Sequence, residues 1–244
     1  MKGVSLSEHR WQLSQRQLVA VGYWASTFCE GASRILIPLY FNQLGIATTQ
    51  IALLFVSYEF FGLLTNILSG FFINRVGYKY AYLLSLLLHS IASIGYLFVM
   101  NGPIMIMVNI LRAFRGIAKE LIKTSSSAYF RHLAKTHLHS HVLLGGKDAI
   151  KGVGILCGAI MLSLLSFKVS FLILGLFTLL CLLSSALCLA DYRDVVQVSF
   201  KGFGQVKAKM NYLAYIRAFL YAGRDLWLVI VIPIYLSNMG LSNV

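Results

Sequence analysis

Leu36-Ile-Pro-Leu-Tyr-Phe-Asn-Gln-Leu-Gly-Ile46 returns late in the chain as Val231-Ile-Pro-Ile-Tyr-Leu-Ser-Asn-Met-Gly-Leu241. Proline, tyrosine and glycine keep their places: Pro38 with Pro233, Tyr40 with Tyr235, Gly45 with Gly240. Carried upstream, the same offset pairs Glu30 with Asp225, two carboxylates inside otherwise apolar stretches. A repeat of this length, carrying a membrane-buried acid, implies a transporter made of two similar halves. Only three residues follow the second copy, so the chain is expected to hold one full half plus the first helix of an incomplete second half.

Composition reaches the membrane independently. Hydrophobic residues make up 58% of the chain and charged residues 12%, with a mean hydropathy of +0.76. A soluble domain carries about a quarter charged residues. Crossing a hydrocarbon core takes about 20 apolar residues. Runs of that length lie near 18–42, 49–73, 79–100, 103–123, 142–166, 169–190 and 211–236. Each must be helical, because lipid offers no partner to an irregular backbone. The expected fold is an all-α integral membrane protein: a six-helix bundle over 1–190, a cytoplasmic linker over 191–210, and one helix of a second bundle over 211–244. The first twenty residues contain Lys2, Arg10 and Arg16 but no short apolar core ending in small residues, so no cleavable signal peptide is expected.

The net charge of +13 is distributed by topology. Basic residues occupy the amino terminus, the second-to-third loop (Arg75, Lys79), the fourth-to-fifth loop (Arg131, Lys135) and the sixth-to-seventh loop (Lys201, Lys207, Lys209). Asn42–Gln50 and Asn101–Pro103 carry no charge at all. This alternation predicts a cytoplasmic amino terminus, with lipid rather than nucleic acid as the charged partner. Cys29, Cys157, Cys181 and Cys188 all fall inside predicted spans without CxxC spacing, as small packing residues do. His132, His137, His139 and His141 share a basic loop, where solvation is the expected state rather than metal binding. Neither metal nor cofactor is expected. No nucleophile–base pair or metal constellation points to an enzyme.

A charge at the bilayer centre costs about 2.5–3.5 kcal/mol on insertion scales, so charges inside spans are the functional shortlist. The first span holds Glu30 and Arg34, spaced to neutralise each other on one helix face. The second holds Glu59 and Asn66. The fourth places Arg112, Arg115, Lys119 and Lys123 within an arc of roughly 80°, at about 100° per residue. Arg115 stands roughly 12 Å above Lys123 at about 1.5 Å per residue, and Arg112 stands higher. The fifth span adds Lys147, Asp148 and Lys151 on one face, and the seventh adds Arg217, Arg224 and Asp225. Salt bridges and snorkelling at helix ends account for Lys123 and for the surroundings of Glu120 and Asp148. They do not account for Arg112, Arg115 and Lys151, which outnumber the acids at depth. Such a surplus predicts a cavity for a small anion, with arginine suited to grip phosphate-like oxygens. The candidate binding residues are Arg34, Arg112, Arg115, Lys119, Lys147 and Lys151. Glu30, Glu59 and Asp225 are candidates for charge pairing or proton coupling, a role that intramembrane acids fill.

The loop Gly70-Phe-Phe-Ile-Asn74-Arg75-Val-Gly77-Tyr78-Lys79 resembles the signature of the major facilitator superfamily, Gly-x-x-x-Asp-Arg-x-Gly followed by basic residues. Asn74 stands at the usual acid, and Tyr78 stands at the first basic position. Gly77 is expected to permit a tight turn. The resemblance implies a gating loop made by Gly70, Asn74, Arg75, Gly77 and Lys79. A narrower resemblance is to bacterial permeases that export organoarsenicals, notably arsenophosphoglycerate. Its segments are Tyr23-Trp24-Ala25, Glu30-Gly31-Ala32 with Arg34, Gln50-Ile-Ala-Leu-Leu-Phe55 and Tyr58-Glu59-Phe60-Phe61-Gly62 with Thr65-Asn66. Gly116-Ile-Ala-Lys119-Glu120-Leu-x-Lys123 and Gly146-Lys147-x-Ala-x-Lys151-Gly-Val-Gly154 complete it. Glu30 and Glu120 stand where that branch would have aspartate. The resemblance implies arsenic resistance by efflux across the bacterial inner membrane, and the intramembrane acids Glu30 and Glu59 make proton coupling the expected drive. The alternatives are export of another anionic metabolite or drug, and a fragment without transport activity. A neighbouring reading frame supplying five more spans would make a separately encoded second half the partner.

Overall fold

The computed structural model describes residues 6–101, 104–133, 146–191, 216 and 231–239. Every extended element among them is helical. In chain order they are α1 (Leu6–Gln43), α2 (Thr48–Val76), α3 (Tyr78–Gly95), α4 (Ile104–Leu133), α5 (Lys147–Leu164), α6 (Phe167–Cys188) and α7 (Ile232–Asn238). A 3-10 turn, Tyr96–Asn101, closes α3. The six long helices follow the six expected spans of the first bundle. The expected seventh span lies largely outside the described residues, apart from α7 at its end.

The repeated stretch explains how α1 stops. Gly45 adopts φ +76°, a left-handed conformation that glycine takes without a side-chain clash. Its N–H donates to the Asn42 carbonyl at 3.0 Å, and the Ile46 N–H donates to the Phe41 carbonyl at 3.1 Å. These two bonds form a Schellman cap, and Ile46 packs on the apolar cluster that contains Phe41. In the second copy, Met239 N–H donates to the Tyr235 carbonyl at 3.1 Å, matching Leu44 N–H to Tyr40 at 3.1 Å.

Gly77 is the sole residue between α2 and α3 and has φ +96° and ψ 160°. Its N–H closes α2 on the Ile73 carbonyl at 2.8 Å. The tight turn expected here therefore depends on glycine.

α4 runs ten residues past its expected end at 123. Ser125 bonds back to the Leu121 carbonyl at 2.7 Å, which leaves its hydroxyl satisfied inside the helix. Tyr129, Phe130 and Leu133 are buried and give the extra turns an apolar face to pack. Arg131, read as a loop residue, belongs to the last turn of α4.

α1 packs along α5 and α6, α2 along α4, and α3 along α4 and α6. Two crossings bring backbones together. A Cβ on Gly31 would lie 2.3 Å from the Lys151 carbonyl oxygen, and one on Gly154 would lie 2.3 Å from that of Phe28. A Cβ on Gly116 would lie 2.2 Å from the Tyr58 carbonyl oxygen. Small residues let helices approach where lipid supplies no hydrophobic drive between them. Gly154 and Gly158 of α5 stand at such an approach, whereas Gly146 and Gly152 face open space.

Among the described residues three helices are long and apolar enough by themselves to cross a membrane: α2, α3 with its 3-10 turn, and α6. α1, α4 and α5 differ from them in the charges they carry, Glu30 and Arg34, Arg112, Arg115 and Lys119, and Lys147, Asp148 and Lys151.

Candidate functional site

Two apolar clusters lie at different heights in the bundle. One gathers Leu36, Ile37, Phe41, Ile51, Phe55, Tyr96, Val108, Leu111 and Phe171, with Ile234 of α7. The other gathers Val19, Tyr23, Ile73, Tyr78, Tyr82, Leu86, Leu121, Tyr129 and Phe130. Along α2, α3 and α4, the residues between these clusters include Tyr58, Glu59, His89, Ser93, Arg112, Arg115 and Lys119, and on α1 Glu30 and Ser33 alternate with Cys29, Ala32 and Leu36 of the first cluster. The charges occupy a polar layer between two apolar ones.

Glu30 is buried on α1, and one of its oxygens accepts from both the Tyr58 hydroxyl and Arg34 Nε. The Arg34 contact, at 3.3 Å, is the i,i+4 pair that spacing predicts. A second Arg34 nitrogen reaches Glu59 on α2 at 3.7 Å. Lys119 Nζ lies 3.3 and 3.4 Å from the two Glu59 oxygens and 3.8 Å from Glu120. Glu120 in turn holds Lys123 at 2.9 Å.

Tyr58 is the hub of this layer. Arg112 Cζ and Lys119 Nζ each lie 4.6 Å from its ring centroid, and Arg34 Cζ lies 5.9 Å away. Arg112 also sits 4.1 Å from the Phe55 centroid. Two aromatic faces therefore hold the Arg112 guanidinium by cation–π attraction. The residue is fully buried. Among the described residues none of its three nitrogens has a hydrogen-bond partner.

Arg115, one turn on, is bound quite differently. It donates to the Ser33 hydroxyl, to the Ser93 hydroxyl at 2.8 Å and to the Cys29 carbonyl at 3.4 Å. Its donors are directed into the seam between α1, α3 and α4. The four-cation stripe of α4 thus grades from Arg112 and Arg115, fully buried, to Lys119, partly buried, and Lys123, exposed. Within this layer Arg34, Arg112, Arg115, Lys119 and Lys123 face three carboxylates, Glu30, Glu59 and Glu120. The described layer is net cationic, which favours an anion.

The remaining candidates are spread more widely. Lys147 and Asp148 are exposed in the first turn of α5, and Lys151 is half-buried one turn later. The Lys151 carbonyl abuts Gly31, next to Glu30 on α1. In the turn region Gly70 has open space around it, Asn74 and Lys79 are half-buried, and Arg75 is exposed. Tyr78, at the departure from the signature, is buried with its ring 5.9 Å from Tyr129 and 6.2 Å from His132. Asp225, Arg217, Arg224, His137, His139 and His141 lie outside the described residues.

A shortlist of acids, lysines and arginines misses part of the layer. Tyr82, Ser85, His89, Ser93 and Tyr96 form one fully buried stripe of α3. Among the described residues neither His89 nitrogen has a hydrogen-bond partner. The signal was available in the sequence, since polar residues recur there at three- and four-residue steps inside an apolar span.

A helical bundle with a charged polar layer buried between apolar clusters has the build of a multi-pass membrane transporter. The family model described as Major Facilitator Superfamily matches residues 19–244, and the chain belongs to that superfamily of transporters. No curated protein matches the chain.

Proposed function

We propose that this transporter exports a small organic anion, with an organoarsenical such as arsenophosphoglycerate as the substrate class and Arg112 as its principal anchor. The observation that carries the reading is the Arg112 guanidinium, fully buried on Phe55 and Tyr58 with its donors unused among the described residues. A buried charge without hydrogen bonds is costly, and a ligand with phosphate-like oxygens would repay that cost. Aromatic faces fix the guanidinium without consuming its N–H groups, so the planar fork stays available. Arg34 and Lys119 lie against the same Tyr58 ring and would complete the cationic cradle. Arg115, Lys147 and Lys151 would add to its positive field. Another anionic metabolite would use the same residues. A cationic drug would not be held by this layer.

Rocking transport requires two bundles facing one site, and the six described long helices would supply one of them. The Gly70–Lys79 turn is the proposed gating element, Glu30 and Glu59 the proposed coupling acids, and the bacterial inner membrane the proposed location, with a cytoplasmic amino terminus. The test is uptake of a phosphoglycerate–arsenate adduct into everted membrane vesicles. The full-length protein should accumulate it, and Arg112→Ala should fall at least tenfold below. Equal rates for the two would sink the anion-site reading.

A further inference from the structure

We propose that Glu59 is a tethered counterion: in the empty carrier its carboxylate occupies the mouth of the anion site, and the substrate displaces it. This rests on the anion-site reading above and adds a role that separates Glu59 from Glu30.

The two acids are held in opposite ways. Glu30 is buried, and a single oxygen is fixed by both the Tyr58 hydroxyl and Arg34. It cannot leave without dismantling α1 and α2 contacts in the layer. Glu59 has 51% of its side chain exposed, and it bridges two cations, Arg34 on α1 at 3.7 Å and Lys119 on α4 at 3.3 Å. Its contacts are long, 3.3 and 3.4 Å to the partly exposed Lys119 and 3.7 Å to the buried Arg34. Exposed pairs contribute about 0–1 kcal/mol, which makes the Lys119 contact the more readily exchanged of the two.

The two cations that Glu59 bridges both lie on the Tyr58 ring, whose other neighbour is Arg112. A carboxylate bridging Arg34 and Lys119 has the charge of the ligand that the layer would hold. It also lets two clustered cations remain charged while no ligand is bound. An incoming dianion that takes both cations releases Glu59 toward solvent on its own flexible stem. Glu120 does not serve this purpose, because it is mostly buried and already bound to Lys123 at 2.9 Å.

The charged groups in contact with Glu59 are Arg34 of α1 and Lys119 of α4, and these are shared with Glu30 and Glu120 respectively. A neutral residue at position 59 should leave Arg34 with Glu30 and Lys119 with Glu120, each one carboxylate short of the unmodified chain, and favour the ligand.

The experiment measures equilibrium binding of 3-phosphoglycerate to the purified full chain in nanodiscs, at one pH and ionic strength. The chains compared are the unmodified protein, Glu59→Gln, Glu30→Gln and Arg112→Ala. Glu59→Gln should bind roughly two- to fivefold tighter than the unmodified chain, as expected for release of a weak pair. Glu30→Gln should not tighten, because that acid orients Arg34 and Tyr58. Glu59→Ala serves as a second neutral variant should glutamine pair with Lys119. If the unmodified chain binds and both Glu59 variants bind equally or more weakly, the counterion role is overturned while the anion site stands. If no chain binds, or Arg112→Ala binds as well as the unmodified chain, the anion-site reading falls and the counterion role falls with it.

Discussion

The Arg112 guanidinium carbon lies 4.1 Å from the centroid of the Phe55 ring, in an interior where its nitrogens find no acceptor among the described residues. One turn away, Arg115 is equally buried but donates to two hydroxyls and a backbone carbonyl. Neighbouring cations on one helix stripe have been given different work, and that difference can be measured.

Arg112→Met should leave the melting temperature unchanged or raise it. The substitution removes a buried charge that makes no hydrogen bond and keeps apolar volume on Phe55 and Tyr58. Transport of the anion should nevertheless be lost. A large fall in thermal stability would show that Arg112 holds the bundle rather than a ligand.

Arg115→Met should behave in the opposite sense. It removes the donor to the Ser33 and Ser93 hydroxyls and the Cys29 carbonyl, and a lost hydrogen bond to a charged group costs about 1.5–3 kcal/mol. Thermal denaturation in detergent should show a clear drop, larger than for any Arg112 variant. Equal stability of the two methionine variants would contradict the contrast drawn here.

Tyr58→Phe keeps the ring beneath Arg112 and Lys119 but removes the donor to Glu30. A lost hydrogen bond to a charged group costs about 1.5–3 kcal/mol. Stability should fall by that order while some anion binding survives. Tyr58→Ala removes the aromatic platform too and should abolish binding. Identical binding by the two variants would argue against the platform.

Gly116→Val should prevent assembly of α2 with α4, because even a Cβ would stand 2.2 Å from the Tyr58 carbonyl oxygen. Backbone oxygen cannot move aside as a flexible side chain can. Gly152→Ala, with open space around it, is the matched control and should yield folded protein at normal levels. Size-exclusion profiles of the two variants decide the matter.

Gly77→Ala should destabilise the α2–α3 turn by about 1–3 kcal/mol, the cost of holding a side chain in a sparsely populated backbone region. The position has φ +96°. A melting temperature equal to that of the unmodified chain would mean that the turn relaxes without strain.

Much of the fold could be read from residue order. Apolar run lengths located the six helices of the first bundle, and the i,i+4 spacing of Glu30 and Arg34 anticipated their pair at 3.3 Å. Gly77 anticipated the tight turn. The ends of α1 and α4 were less legible. α4 passes through the serine run because Ser125 and Ser127 bond back to carbonyls one turn earlier and so remain inside a helix. His89 escaped notice because its significance lies in the absence of a hydrogen-bond partner among the described residues, and partners belong to other helices.

The sequence by itself determined that this is a helical membrane protein, where its long helices run, and that cations stripe one face of α4. Hydropathy and helical period are local properties, and they survive without neighbours. Which cation is satisfied and which is not was decided by tertiary structure. Ser33 and Ser93 come from α1 and α3 to meet Arg115, whereas α2 offers Arg112 the rings of Phe55 and Tyr58. Hydrogen bonds and ring contacts depend on what an adjoining helix presents at the crossing. The close approach of α2 to α4 at Gly116 sets that register.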